Sequence, residues 1–194
     1  MDHGEIFDDI YRNDRWRGGS GTGSSAEVTR PYREFLHNFL RSNHVRSVLD
    51  LGCGDWQFSQ HMDWSGIAYL GVDVSKVVLE NTRRHARPGV EFRHLNAVTE
   101  PLPAADLLIA KDVLQHWSNA DILALLPKLR AFRYALITNG FLPGDEARTN
   151  EDIPAGMDCR PVDLRRAPFS LPGAYVAWFL LDEPKYAFLW TRPD

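Results

Sequence analysis

Apolar residues recur along the chain in two rhythms. Ile6, Phe7, Ile10 and Tyr11 fall at helical spacing, and the stretch WRGGSGTGSS that follows predicts a loop, since its glycines open many backbone conformations. Val28, Tyr32, Phe35, Leu36, Phe39 and Leu40 share one helical face, which predicts a second helix over 26–41 with Ser24 and Glu27 as a capping box. SVLDL (47–51) is too short for a typical helix and is stopped by Gly52 and Gly54, as strands buried on both faces often are. The same grammar then repeats. AYLGVD, VEFRHL, ADLLIA and YALITN predict strands, while SKVVLENTRRHAR and DILALLPKLRAF predict helices, the latter capped by Ser118 and Asp121 and kinked by Pro127. Strands alternating with helices imply a mostly parallel sheet with right-handed crossovers.

Residues 141–173 lose both rhythms. Five prolines and three glycines there predict a long ordered loop or lid, with a partly disordered surface excursion as the alternative, and loops of that length tend to be functional. AYVAWFLLD, the turn-forming EPK and YAFLWT predict a closing antiparallel hairpin.

A length of 194 residues suits one domain, organised as an N-terminal helical segment (1–41), a core (42–140), the long loop (141–173) and the hairpin (174–194). With 22 basic and 26 acidic residues mixed along the chain, nothing resembles the basic stripe of a nucleic-acid binder. Of two cysteines, Cys53 sits in a glycine-rich turn where a disulfide would obstruct whatever approaches, so a reduced, cytoplasmic setting is expected. MDHGEIFDDIYRNDRW lacks the features of a signal peptide, and no run reaches the roughly 18 apolar residues that span a bilayer.

The most informative stretch is VLDLGCGDW (48–56), where an apolar strand runs into Gly-x-Gly at a point where a helix is expected to begin. Such a turn lets a ligand approach the backbone in the crevice of a doubly wound sheet. Asp73 closes the next predicted strand, 23 residues after Asp50, near the offset at which a carboxylate reaches ribose hydroxyls. A dinucleotide fingerprint wants a third glycine where this chain has Gln57, preceded by Trp56, so a pyrophosphate-bearing cofactor is disfavoured.

VLDLGCGDW, YLGVDVS, the Asn96-Ala97 pair and ADLLIAKDVLQHW resemble, in order and spacing, successive motifs of the class I S-adenosylmethionine (SAM)-dependent methyltransferases. The resemblance covers about residues 45–140 and extends more loosely to small bacterial members of unassigned substrate through IYRNDRWRGGSGTGSS and PYREFL. It implies a Rossmann-like, mostly parallel seven-stranded sheet with an antiparallel C-terminal hairpin. It also implies SAM as cofactor and S-adenosylhomocysteine (SAH) as product. Carried over by position, Gly52, Cys53 and Gly54 would pass beneath the methionine part of SAM, with Asp50 supporting that turn. Asp73 would hold the ribose, with Val74 against adenine and Asn96 and Ala97 at its edge; Asn96 stands where the family more often has Asp. Lys111 and Asp112 would lie by the SAM amino group, and Trp16, with Tyr11 and Arg17, would fold over the cofactor, the alternative being plain core or surface aromatics.

Methyl transfer needs alignment first and a general base only if the nucleophile arrives protonated. His116 in KDVLQHW is the candidate base, with a positioning role as its alternative. Asp112 and His116, four apart, would share a helix face as metal ligands, yet no companion ligand is evident, so no metal is expected. Cys53 reads better as a small turn residue than as a nucleophile, and His94 and His61 as structural residues. Arg148, Arg160, Arg165 and Arg166 give the long loop a basic character, either to attract a carboxylate acceptor or as solvated charge. The leading expectation is methylation of a small molecule or short peptide. A protein or RNA methyltransferase, a non-catalytic SAM-binding regulator and an NAD-type oxidoreductase remain alternatives.

Overall fold

The computed structural model describes residues 2–140, 144, 146–180 and 183–193. Expectations for residues 141–143, 145, 181, 182 and the two termini lie outside them. Strands β1 (Ser47–Leu51), β2 (Ala68–Asp73), β3 (Val90–His94), β4 (Ala105–Lys111), β5 (Phe132–Gly140), β6 (Ala174–Leu180) and β7 (Pro184–Thr191) form one sheet in the order β3-β2-β1-β4-β5-β7-β6. The first five run parallel, and β7 enters antiparallel between β5 and β6. The expected Rossmann-like sheet is therefore present. Its order reverses between β1 and β4, where doubly wound sheets open a crevice at the carboxyl ends of the strands.

Successive residues of the central strands feed opposite apolar layers. Val48 and Leu107 join Tyr32, Leu36 and Leu40 of helix α2 (Arg30–Ser42), together with Trp56 and Trp64. Leu49 and Leu108 join Phe7 and Ile10 of α1 (His3–Arg12) and Ile122 and Leu125 of α4 (Asn119–Leu125). Burial of each such side chain contributes about 1.5–3 kcal/mol, which is why an unbroken apolar run was readable as a central strand.

Three local expectations fail for identifiable reasons. Helix α2 starts at Arg30 without a side-chain cap, so the Ser24–Glu27 box does not form. Pro31 has no N–H and fits only a first turn, which excludes a helix entering four residues earlier. No α-helix follows β1: Gly52, Gly54 and Trp56 all have positive φ (69°, 54° and 65°), and this left-handed alternation leaves only a 3-10 turn at Ser59–His61. Pro127 ends α4 rather than kinking it, falling at the start of a 3-10 stretch over Leu126–Ala131. Helix α3 (Lys76–Thr82) likewise passes early into a 3-10 turn. Ser118 and Asp121 do form the expected capping box on α4.

Within residues 146–173 the only regular element among the described residues is a 3-10 turn at Glu146–Arg148, yet Ile153, Val162, Leu164 and Phe169 are buried. The segment is packed onto the sheet. Among the described residues no helix is long and apolar enough to cross a membrane, and both cysteines are free thiols.

Candidate active site

A cavity of about 340 Å³ opens at the carboxyl ends of β1, β2 and β4. Its floor is the turn at Leu51, Gly52 and Cys53. A Cβ on Gly52 would lie 2.6 Å from Val113 Cγ2 at a φ of 69°, so only glycine leaves this backbone open to a ligand. The amides of Gly52 and Cys53 donate to the Val72 carbonyl, stitching the turn to β2. Cys53 itself is buried, and burial pushes its thiol pKa well up, which suits a turn residue and not a nucleophile.

Asp73 organises the next wall. Its Oδ2 accepts the Gly54 N–H and its Oδ1 the Ser75 N–H, both at 2.9 Å. Burial raises its pKa to about 6, against the pull of those hydrogen bonds. An alanine here would leave two backbone donors without acceptors, so the fold would not stay untouched as the ribose role alone implies. Val74, Asn96 and Ala97 continue the wall. Asn96 Oδ1 accepts the Val98 N–H at 3.0 Å, which fixes the orientation of its amide. Lys128, not singled out from sequence, holds this loop by donating to the carbonyls of Ala97, Val98 and Glu100.

Asp50 and Gly54 do not line the cavity. Gly54 acts through its amide on Asp73, whereas the buried Asp50 carboxylate accepts from Ser59 Oγ at 3.0 Å and from the Tyr69 hydroxyl. Burial pushes the Asp50 pKa up to about 7. Between the ordinary carboxylate value near 4 and that point, the native state keeps a proton that the unfolded chain has lost, so this group lowers stability as pH rises. Asp50→Asn is therefore expected to gain urea stability relative to wild type between about pH 5 and pH 8. Equal differences at both values would refute the assignment.

The N-terminal segment roofs the cavity with Phe7, Tyr11, Trp16 and Ser20. Asp8 on α1 accepts from Ser75 Oγ (2.7 Å) and the Val77 N–H (3.0 Å), anchoring α1 on the start of α3. Gln57, at the position where a dinucleotide site wants glycine, donates to the Gly18 carbonyl (2.7 Å), and Ser20 and Asp55 exchange hydrogen bonds at 3.2 Å. Trp16 and Tyr11 thus reach the cavity as expected, but Arg17 is exposed outside it. Asp55 also lines the cavity, and its Oδ1 is buried without a hydrogen-bond partner among the described residues. An orphan acceptor beside an open glycine turn and a ribose-competent carboxylate fits a cofactor that carries an ammonium group and a ribose.

Across the cavity stands a charged and polar cluster of which sequence reading found only part. Lys111 Nζ donates to the Gly23 carbonyl (2.8 Å) and pairs with Asp112 (2.5 Å); Lys185 pairs with Asp112 (3.0 Å) and Glu183 (2.6 Å). Burial opposes ionisation of Asp112, but the two lysines outweigh it and hold its pKa below the usual range. Lys185 reaches the cavity because β7 pairs it with Gly140 at the end of β5, and the missing side chain of Gly140 leaves the space Glu183 fills. Asp112 has a φ of 59° and His116 lies in the 3-10 turn Leu114–His116, so the shared helix face of the metal reading does not exist. Among the described residues no group of three His, Cys, Asp or Glu is placed to hold a metal.

His116 lines the cavity under Trp16, ring centroids 5.4 Å apart, with Nδ1 3.1 Å from the Asp158 carbonyl. Burial pushes its pKa below the ordinary histidine value; the Asp158 carbonyl and Asp112 oppose this, and Lys185 and Arg160 add to it. None of Arg148, Arg160, Arg165 and Arg166 lines the cavity. Arg160 is buried and donates to the carbonyls of Leu114 and Glu151 and to Asn119 Oδ1. Arg148 pairs with Glu151, and Arg165 and Arg166 with Asp163. Instead, Met157 and Cys159 of that loop reach the cavity. His94 Nε2 contacts the Val74 carbonyl at 3.0 Å, the structural role expected of it.

Residues 48–132 match a methyltransferase domain family. No curated protein sequence matches the chain. Among solved structures, the magnesium protoporphyrin IX methyltransferase of Synechocystis with bound SAH is similar over 97% of this chain and 99% of its own, at 16% identity and a TM-score of 0.70. The same enzyme with bound SAM gives 18% identity and a TM-score of 0.68 over 100% and 98% of the two chains. Human N-acetylserotonin methyltransferase in complex with SAM is similar over 100% of this chain and 61% of its own, at 16% identity and a TM-score of 0.62. The matched stretch runs from β1 to the start of β5 and supplies the glycine turn, the Asp73 wall and the His116 turn; over it the chain carries a methyltransferase domain, and its fold is shared with methyltransferases solved with SAM or SAH bound.

Proposed function

We propose that this enzyme methylates a small-molecule or short-peptide acceptor by direct displacement, with His116 as the base that receives the acceptor's proton. The observation that carries this reading is the polar lining that Gln115, His116, Glu183 and Lys185 add to the cavity walled by Gly52 and Asp73.

In this reading Asp73 accepts the ribose hydroxyls, Val74 and Ala97 flank the adenine, and Asn96 meets its edge. Gly52 and Cys53 present open backbone to the methionine part, with Lys111 and Asp112 beside its polar end. Bound SAM supplies a methyl group on a sulfonium that leaves as a neutral thioether. Trp16 and Phe7 exclude water above, and the acceptor is held in line by the opposite lining; such orientation supplies about 7–11 kcal/mol of barrier reduction in favourable cases. The cavity volume and the absence of a basic stripe favour a small acceptor over RNA, and the two free thiols fit a reducing, cytoplasmic setting.

Titration calorimetry is expected to show SAM and SAH binding with NAD silent. Tight NAD binding with no response to SAM or SAH would overturn this reading.

A further inference from the structure

Gln115 went unremarked in the sequence, yet it is buried and every polar group it carries is engaged. Its backbone N–H meets Asn139 Oδ1 at 3.2 Å, its carbonyl accepts the Arg160 N–H at 3.3 Å, and its side-chain Oε1 accepts the Gly140 N–H at 2.7 Å. This last contact fixes the amide. Rotated by half a turn, the side chain would set its NH2 group against the Gly140 N–H, donor against donor. The NH2 group therefore faces the other way, towards His116 Nε2, 3.5 Å off. On the opposite edge of the imidazole, Nδ1 lies 3.1 Å from a carbonyl, which can only accept, so Nδ1 carries the proton.

We infer that Gln115 is a positioning residue that keeps His116 Nε2 unprotonated between turnovers, and that the site is built for an acceptor whose nucleophile arrives with a proton. This rests on the methyl-transfer reading above. The acceptor class is then a hydroxyl, phenol or amine, not a carboxylate. The nucleophile's X–H first takes the place of the long Gln115 NH2 contact on Nε2; then, as the lone pair of the nucleophile forms its bond to the methyl carbon, the carbon–sulfur bond breaks, its electron pair goes to sulfur, and the nucleophile's proton passes to Nε2. A carboxylate brings no proton near pH 7 and gains nothing from a base at Nε2.

The surroundings of His116 agree with this role. Asp112 beyond β4 favours an imidazolium, while Lys185 on β7 and Arg160 of the long loop disfavour it; the N-terminal segment contributes the uncharged Trp16. The Gln115 NH2 group adds a directed element, because protonation of Nε2 would place two donors face to face. The imidazolium formed in the reaction is thus driven to give its proton back.

Nitrogen-15 histidine spectra of the full chain with SAH, recorded against pH, test the first half without any acceptor. Wild type is expected to show a protonated Nδ1 and a bare Nε2. Gln115→Glu keeps an acceptor for the Gly140 N–H and turns an acceptor towards Nε2, so it is expected to raise the His116 pKa by about one unit or more. Gln115→Met, which removes the donor at similar volume, should raise it by less. An Nε2-protonated wild-type ring, or a folded Gln115→Glu with an unmoved pKa, would overturn the role of Gln115. The acceptor class is tested by SAH release from SAM with panels of phenols, alcohols, amines and carboxylates. Release with any of the first three supports it, and release with carboxylates alone overturns it. Release with none would count against the methyl-transfer reading itself, while the spectra would still decide Gln115.

Discussion

Replacing His116 with alanine is expected to lower turnover by about 10² to 10⁴, the usual contribution of a general base, while SAM affinity is nearly kept. On the proposed reading the separation follows from position: Nδ1 is tied to the Asp158 carbonyl, whereas the cofactor lies against Asp73, Val74 and Gly52. Because burial places the His116 pKa below the ordinary value near 6.5, the base is neutral above it, and activity should fall only as pH drops through that lowered value. Alanine should erase this acid limb. Since the ring also supports Trp16, His116→Gln is the control that keeps bulk without a titrating nitrogen. A fall of less than about tenfold across pH 6 to 9 would leave alignment as the whole mechanism.

The second large effect is on stability. Arg160→Leu is expected to destabilise the protein by about 2–4 kcal/mol, because an apolar side chain leaves the Leu114 and Glu151 carbonyls and Asn119 Oδ1 without their donor, at about 1–3 kcal/mol for each fully buried group. Burial lowers the guanidinium pKa to about 10, so it stays charged at neutral pH and its hydrogen bonds are of the stronger kind. Urea unfolding measures the loss, and a change under about 1 kcal/mol would show that these contacts are replaced by water. The defect should spread to chemistry, since Arg160 lies two residues from the carbonyl that orients His116.

That arginine also marks where sequence reading ends. Strands β1 and β2 were legible to the residue, because unbroken apolar runs stopped by glycine or aspartate have few other uses in an α/β fold. The cavity wall at Gly52, Asp73 and Val74 was legible for the same reason, its residues lying at strand ends whose position the rhythm defines. Gln115, Glu183 and Lys185 were not, because their place depends on long-range pairing. Only the insertion of β7 beside β5 sets Lys185 opposite Gly140, and a turn-like EPK carries no sign of it. Arg160 resembled its exposed neighbours Arg165 and Arg166 in composition while differing wholly in surroundings. The missing helix after β1 had a local trace in Trp56, whose buried, left-handed conformation is incompatible with a helical start.

The roof over the cavity is fastened by hydrogen bonds, Asp8 to α3, Gln57 to Gly18, Ser20 to Asp55 and Lys111 to Gly23, and by Phe7 and Ile10, which are buried in the core. On the methyl-transfer reading, product held beneath Phe7, Tyr11 and Trp16 leaves only when these contacts open. Efficient acceptors of different reactivity would then converge on one maximal rate, a ceiling set by how often the roof lifts and independent of how nucleophilic the acceptor is.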